Sequence, residues 1–421
     1  MLTLLIAWSA VGNSATPFSA PVREDTGGER VLVRWSDARS EDILVRVTFP
    51  WSRFQDDWPT PGTIYWRSLA QCTGAREQNV SIRTSVSTRS VRTWMWTTPA
   101  HLDSDLAAFN TMFFGPLTCR GGDSAWSYNA VLALLQEAPM FRMVSIVAPD
   151  LWPEGDARRS LFDPDLSRYL DPVEDEAFRD RIVRSRNAVI TVVGNCDGTC
   201  AHLVTATLFP APASIDAPAM RPIPPTENRS APARIERWKD DQSRVGMVWQ
   251  TPGTASPAWP AFVATSAVIH DRLMRRLRAD SGLVYSVDDD YSASPWPDVW
   301  LVSAPVAPAN AVAVREGMRD AMSSLRSAGV SAEDWEIVRA GLAAAAESDE
   351  PSSTLEAMEM EALSDGRWLD PRSGLHAAAA LTVPQVNAFL STFLDPARIH
   401  EVTLDASVDA PKTSPPDASP E

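Results

Sequence analysis

A chain of 421 residues can bury more than one core, and its 44% hydrophobic and 22% charged residues are those of a globular protein. A net charge of −16 argues against a nucleic-acid or anionic-membrane surface, because no basic excess is present to replace counterions on phosphate. Lysine occurs only at Lys239 and Lys412, and with the abundant Ala and Pro this points to a GC-rich, bacterial genome.

The amino terminus carries an apolar run from Leu2 to Val11 followed by small residues, with cleavage expected near Ala15 or Ala20. The run is too short to span a bilayer and lacks a basic start, and it reads as an export signal. Residues 1–27 are therefore set apart, and the protein is expected in the periplasm or outside the cell. The stretch "VRWSDARSEDILVRVTFP", Val33 to Pro50, holds Arg-Trp, an acidic turn and an alternating strand closed by Pro. A helical pattern over Thr60–Gln71 follows, then the alternating strand "NVSIRTSVST" with Val80, Ile82 and Val86 on one side. Amphipathic helices are predicted at Leu102–Phe114 and Ser127–Glu137, and an apolar strand at Ala188–Asn195.

Cysteine occurs at Cys72, Cys119, Cys196 and Cys200, an even set that an exported chain could pair. In "CDGTC" the spacing of Cys196 and Cys200 suits a disulfide in a turn, a structural staple and not a redox motif or a zinc site. Residues 213–230 form a Pro-rich, unperiodic connector.

The second half repeats the first. "ERWKDDQSRVGMVWQTP", Glu236 to Pro252, aligns with the earlier Arg-Trp stretch, and a helix over Pro260–Ala279 follows it. "DVWLVSAPV" reads as a strand, with helices at Ala311–Ser327, Ala332–Ala346 and Thr354–Leu363. Ser331 is a candidate N-cap, with Asp334 where a capping-box side chain would sit. Residues 409–421 should be disordered. The fold expected is α+β, two tandem homologous half-domains over 28–212 and 231–408, each a mostly antiparallel sheet with helices packed on one face.

The stretch "LMRRLRADSGLVYSV", following strand, strand and helix, resembles the carboxy-terminal half-domain of the insulinase-like (pitrilysin, M16) zinc peptidases, the inverzincins. A Leu-Arg helix end, a Gly and a Tyr opening the next strand form that family's signature, matched here by Leu277, Arg278, Gly282 and Tyr285. "NAVITVVGNCDG" and "LFPAPA" resemble the strand and the helix end that close the family's first half-domain, so the likeness covers nearly the whole chain. It implies that Arg278 and Tyr285 reach to a zinc site, the phenol donating to a developing oxyanion and the guanidinium holding a peptide carbonyl. The residues alone also fit a helix-end Arg paired with an acidic neighbour and a Tyr packed at a strand start.

The family's zinc site is HxxEH on the first long helix of the amino-terminal half, with a further Glu downstream. Counting from Gly62 in "PGTIYWRSLAQC", its three positions hold Tyr65, Ser68 and Leu69. Leu69 cannot ligate, Ser68 is no general base without an activating partner, and a lone Tyr65 is a poor zinc ligand. His101, His202, His270, His376 and His400 form no short metal motif, and His270-Asp271 reads as a surface or packing pair. Neither a GxSxG elbow nor a Gly-rich phosphate loop is present.

The resemblance then implies a non-catalytic, substrate-handling subunit whose HxxEH-bearing sister chain supplies the zinc, with no cofactor in this chain. The pair would enclose an unfolded peptide as an added strand on a sheet edge, and the acidic surface would favour basic peptides. The alternatives are a scaffold subunit of the same fold, a free-standing peptide-binding protein, and an active metallopeptidase with an atypical metal site.

Overall fold

The computed structural model describes residues 22–25, 30–50, 82–86, 90–114, 138–154, 159, 162, 188–209, 232–291, 297–347, 359 and 371–407. The expected helices Thr60–Gln71 and Ser127–Glu137, and Thr354–Leu363 apart from Glu359, lie outside these residues. The remainder falls into two compact units.

The first unit is built on a six-stranded sheet of β1 (Val22–Asp25), β2 (Val31–Ser36), β3 (Ile43–Pro50), β4 (Ile82–Val86), β5 (Ser90–Thr97) and β6 (Val189–Gly194), in the order β1-β2-β6-β3-β5-β4. Only the β2/β6 pair is parallel. Alternation along β3 decides which side is apolar. Ile43, Val45, Val47 and Phe49 are fully buried, and Phe49 meets Phe209 edge-on at the end of a helix. That side carries α1 (Leu102–Phe114), at the predicted bounds, and α3 (Gly198–Leu208), which contact each other and the sheet.

At the start of α3, Asp197 accepts a hydrogen bond from Cys200 N at 2.8 Å, and the expected Cys196–Cys200 disulfide closes the same turn. Gly194, at φ +108°, ends β6 where a Cβ would lie 2.1 Å from the Asp42 carbonyl oxygen.

The opposite side of this sheet is polar. Arg46 and Thr48 on β3, Thr191 on β6 and Arg92 on β5 converge on Glu359, which is fully buried. Its carboxylate accepts from Arg46 Nε at 2.7 Å, from Thr48 Oγ1 at 3.4 Å and from Thr191 Oγ1, with Arg92 Nε 3.8 Å away.

The second unit repeats the plan with β7 (Arg234–Arg237), β8 (Ser243–Gln250), β9 (Asp288–Tyr291), β10 (Val299–Val306) and β11 (His400–Asp405), in the order β7-β11-β8-β10-β9. As β6 inserts between β2 and β3, so β11 inserts between β7 and β8, parallel to the earlier strand of each pair and antiparallel to the later one. One side of the sheet is covered by α4 (Trp259–Leu273), α5 (Ala311–Ala328), α6 (Ala332–Ala346), α7 (Pro371–Ala379) and α8 (Val383–Phe393) around a shared core. Trp300 and Trp249 stack there at 4.9 Å between ring centroids, and Phe262 and Phe393 close on them. The predicted helices over 311–327 and 332–346 are present as α5 and α6.

To the helices on one face the structure adds α2 (Pro139–Leu151) on the other, from earlier in the chain. Gly246 lets it approach, since a Cβ there would lie 2.7 Å from Met143 Cε. Gln250 Nε2 donates to the Leu151 carbonyl at 2.8 Å, and Arg142 pairs with Glu236 and Arg234 with Asp150. No helix among the described residues is long and apolar enough to cross a membrane.

Candidate functional site

Helix α4 buries Phe262, Ser266, Ile269 and Leu273, a stripe of three- and four-residue steps, and Leu277 extends it by one more. The chain does not keep α geometry over that last step. Met274–Asp280 is a π-helical stretch, a form that widens the turn and is common at functional positions.

The return of the chain is organised on one carbonyl. Leu277 O accepts from Leu283 N at 2.9 Å, Val284 N at 3.3 Å and Ser281 Oγ at 3.0 Å. Gly282 N reaches Arg278 O at 3.1 Å, and Gly282 itself sits at φ +64° with open space around its Cα. Only the backbone conformation demands glycine there, so Gly282→Ala should lower stability by about 1–2 kcal/mol, the left-handed penalty, in thermal unfolding of the whole chain. An unchanged midpoint would mean that the turn adopts another conformation.

This turn presents two side chains to solvent. Val284 and Val287 are buried while Tyr285 between them is 81% exposed. The Arg278 guanidinium lies over the Tyr285 ring, 5.1 Å from its centroid. Tyr285 precedes β9 by three residues; the Tyr does not open the strand as the signature led us to expect, because the Leu277-centred turn is still unwinding there.

The neighbouring arginines are each claimed by a carboxylate. Arg276 pairs with Asp320 at 2.9 Å, Arg272 with Asp334 at 3.3 Å, and Arg275 with Asp334 at 2.7 Å and with Asp271. Arg275 holds the Asp334 carboxyl below its ordinary range, and the two carboxylates in turn raise Arg275. Arg278 has no ion-pair partner among the described residues, so the reading of a helix-end Arg tied to an acidic neighbour describes Arg275 and not Arg278.

The predicted N-cap is present, Ser331 Oγ accepting from Asp334 N at 3.0 Å, but the Asp334 side chain does not complete a capping box. Sequence reasoning missed that the Asp334 carboxylate turns to Arg272 and Arg275. The available signal was an acidic residue at the start of a helix that follows an Arg-rich helix end.

Residues 176–342 match the family described as "Peptidase M16 inactive domain". That match covers fewer than half of the 421 residues, and over it the chain is similar to the inactive domain of the M16 peptidases. Its fold recurs in a peptidase M16 inactive domain from Pseudomonas fluorescens, at 13% identity over 93% of this chain and 99% of that one with a TM-score of 0.70. A protease from Helicobacter pylori matches at 14% identity over 92% and 100%, TM-score 0.71. The periplasmic protease PqqL from Escherichia coli matches at 12% identity over 93% of this chain but 48% of its own length, TM-score 0.66. No curated protein matches the sequence. At such identities the solved structures establish the fold alone.

The chain contains no HxxEH anywhere in its sequence. Tyr65, Ser68 and Leu69, at the positions of that motif, lie outside the described residues. As a donor set a phenol, an alcohol and an alkyl group do not fit zinc. Of the histidines, His270 Nδ1 is 3.6 Å from Asp289 Oδ1 on the edge strand β9, a contact between helix and strand as its sequence setting suggests, and not a pairing with Asp271.

Proposed function

We propose that this chain is the substrate-handling subunit of a two-chain peptidase, lending Arg278 and Tyr285 to a zinc site carried by an HxxEH-bearing sister chain. The observation that carries this reading is the unpaired, exposed guanidinium lying over an exposed phenol, on a rigid turn, in a chain without its own zinc motif. An exposed phenol and a guanidinium without an ion-pair partner among the described residues add little to stability, about 0.5–1 kcal/mol from their mutual contact. They suit a peptide carbonyl and its developing oxyanion, which need a donor and a positive charge held in place beforehand.

Export to the periplasm is supported by the apolar amino terminus and by the Cys196–Cys200 disulfide, a bond that persists in oxidising compartments. The likeness to a periplasmic protease is compatible with it. The substrate would be an unfolded peptide, with basic peptides favoured by the net charge of −16.

The test is cleavage of an unstructured fluorogenic peptide by the chain alone and by the chain mixed with the HxxEH protein encoded beside it. Only the mixture should cut, and Tyr285→Phe should lower kcat about 10²–10³-fold, as loss of an oxyanion donor does, with Arg278→Met lowering kcat/KM. Cutting by the chain alone, or a Tyr285→Phe mixture of full activity, would overturn the reading.

A further inference from the structure

His400 opens β11 opposite Val248, with its side chain on the face that receives α2. It is 1% exposed, and neither ring nitrogen has a hydrogen-bond partner among the described residues. An imidazole in that position is an unusual choice. It cannot hydrogen-bond, it fills a place that an aliphatic residue would fill, and it ordinarily titrates near pH 6.5.

We propose that His400 is an acid-sensitive seat for α2: protonating the imidazole drives α2 off the sheet of the second unit. The carboxylates around the seat are already engaged with other cations. From α2 come Arg142 and Asp150, from β7 Arg234 and Glu236, and from β8 Arg244, while β10 brings no charged residue. Each carboxylate is already matched, Asp150 with Arg234 at 3.0 Å and Glu236 with Arg142, and Arg244 is matched by Asp288 at 2.8 Å. Burial holds His400 below its usual range, against an opposing pull from Asp150 that Arg234 offsets only in part.

The sign follows from linkage. The His400 pKa is lower in the closed state than in the open one, so the open state binds more protons below pH 6.5. Closure is therefore at full strength above about pH 6.5 and weakens by up to tenfold per unit as pH falls, until the closed-state pKa is reached. Nothing in this argument depends on a peptidase partner.

The experiment is native-state hydrogen exchange of the α2 amides in the full chain at pH 7.5 and 5.5, corrected for intrinsic exchange. The opening constant of α2 should rise about tenfold at pH 5.5 in the wild type and stay flat in His400→Leu. A wild-type constant that does not change, or an equal rise in the variant, would refute the seat. In parallel, exchange at the imidazole C2 position, read by mass spectrometry for each histidine, needs no variant. His400 should show the lowest midpoint of the five histidines, and a midpoint at or above that of exposed His101 would equally refute it.

Discussion

Replacing Glu359 by Ala should destabilise the first unit by about 3–5 kcal/mol, the cost of leaving a buried charge without its partner. The carboxylate is fully buried and is the counter-charge for Arg46, whose terminal nitrogen is 2.5 Å away, with Arg92 at the margin of contact. Removing it strands the Arg46 guanidinium on the polar side of the sheet and leaves the Thr48 and Thr191 hydroxyls without that acceptor. Glu359→Gln keeps the shape and loses the charge, and should fall between wild type and Ala. The pair Arg46→Met with Glu359→Leu should recover most of the loss, because two apolar groups need no counter-charge. Chemical denaturation with exchange of β3 and β6 amides as the readout separates this unit from the other. A loss below about 1 kcal/mol in Glu359→Ala would show that water or another group takes over the guanidinium.

The second large effect is expected at Trp300, where truncation to Ala should cost about 3–5 kcal/mol in the second unit. The indole is fully buried, stacked on Trp249 and edge-on to Phe262, so its removal opens a cavity under α4 and α8. Its Nε1–H, like that of Trp249, finds no acceptor among the described residues. Trp300→Phe therefore removes an orphaned donor while keeping most of the ring, and should cost clearly less than Ala. Equal losses in the two variants would mean that stacking area does not hold this layer together.

Much of this architecture was legible in the residues. Alternation gave β3, β6, β8 and β10, and helical periodicity gave α1, α4, α5 and α6, because each pattern is local and one-sided. The repeated Arg-Trp stretch marked equivalent strands of two sheets, β2 with β3 and β7 with β8. Helix α2 escaped notice because Pro149 sits in its last turn and its apolar residues read as a short run. The strand insertions were invisible for another reason, since the β2/β6 and β7/β11 pairings join residues far apart in the chain. At the candidate site the matching residues could be named from the signature, but their freedom could not. That Arg275 and not Arg278 takes the carboxylates depends on where Asp334 lies in space.

The position of Glu359 has a bearing on how the protein is made. Arg46 and its carboxylate are 313 positions apart. At roughly 5–20 residues per second a ribosome needs about 15–60 s between them. Once β6 has been made, partway through that interval, all six strands of the first sheet can exist while the Arg46 guanidinium still lacks the Glu359 carboxylate. The amino-terminal half therefore cannot complete itself ahead of the rest, as leading domains usually do, and its final closure waits for the chain to be nearly finished. Any product cut short after β6 but before residue 359 therefore carries the six strands without the carboxylate that pairs with Arg46.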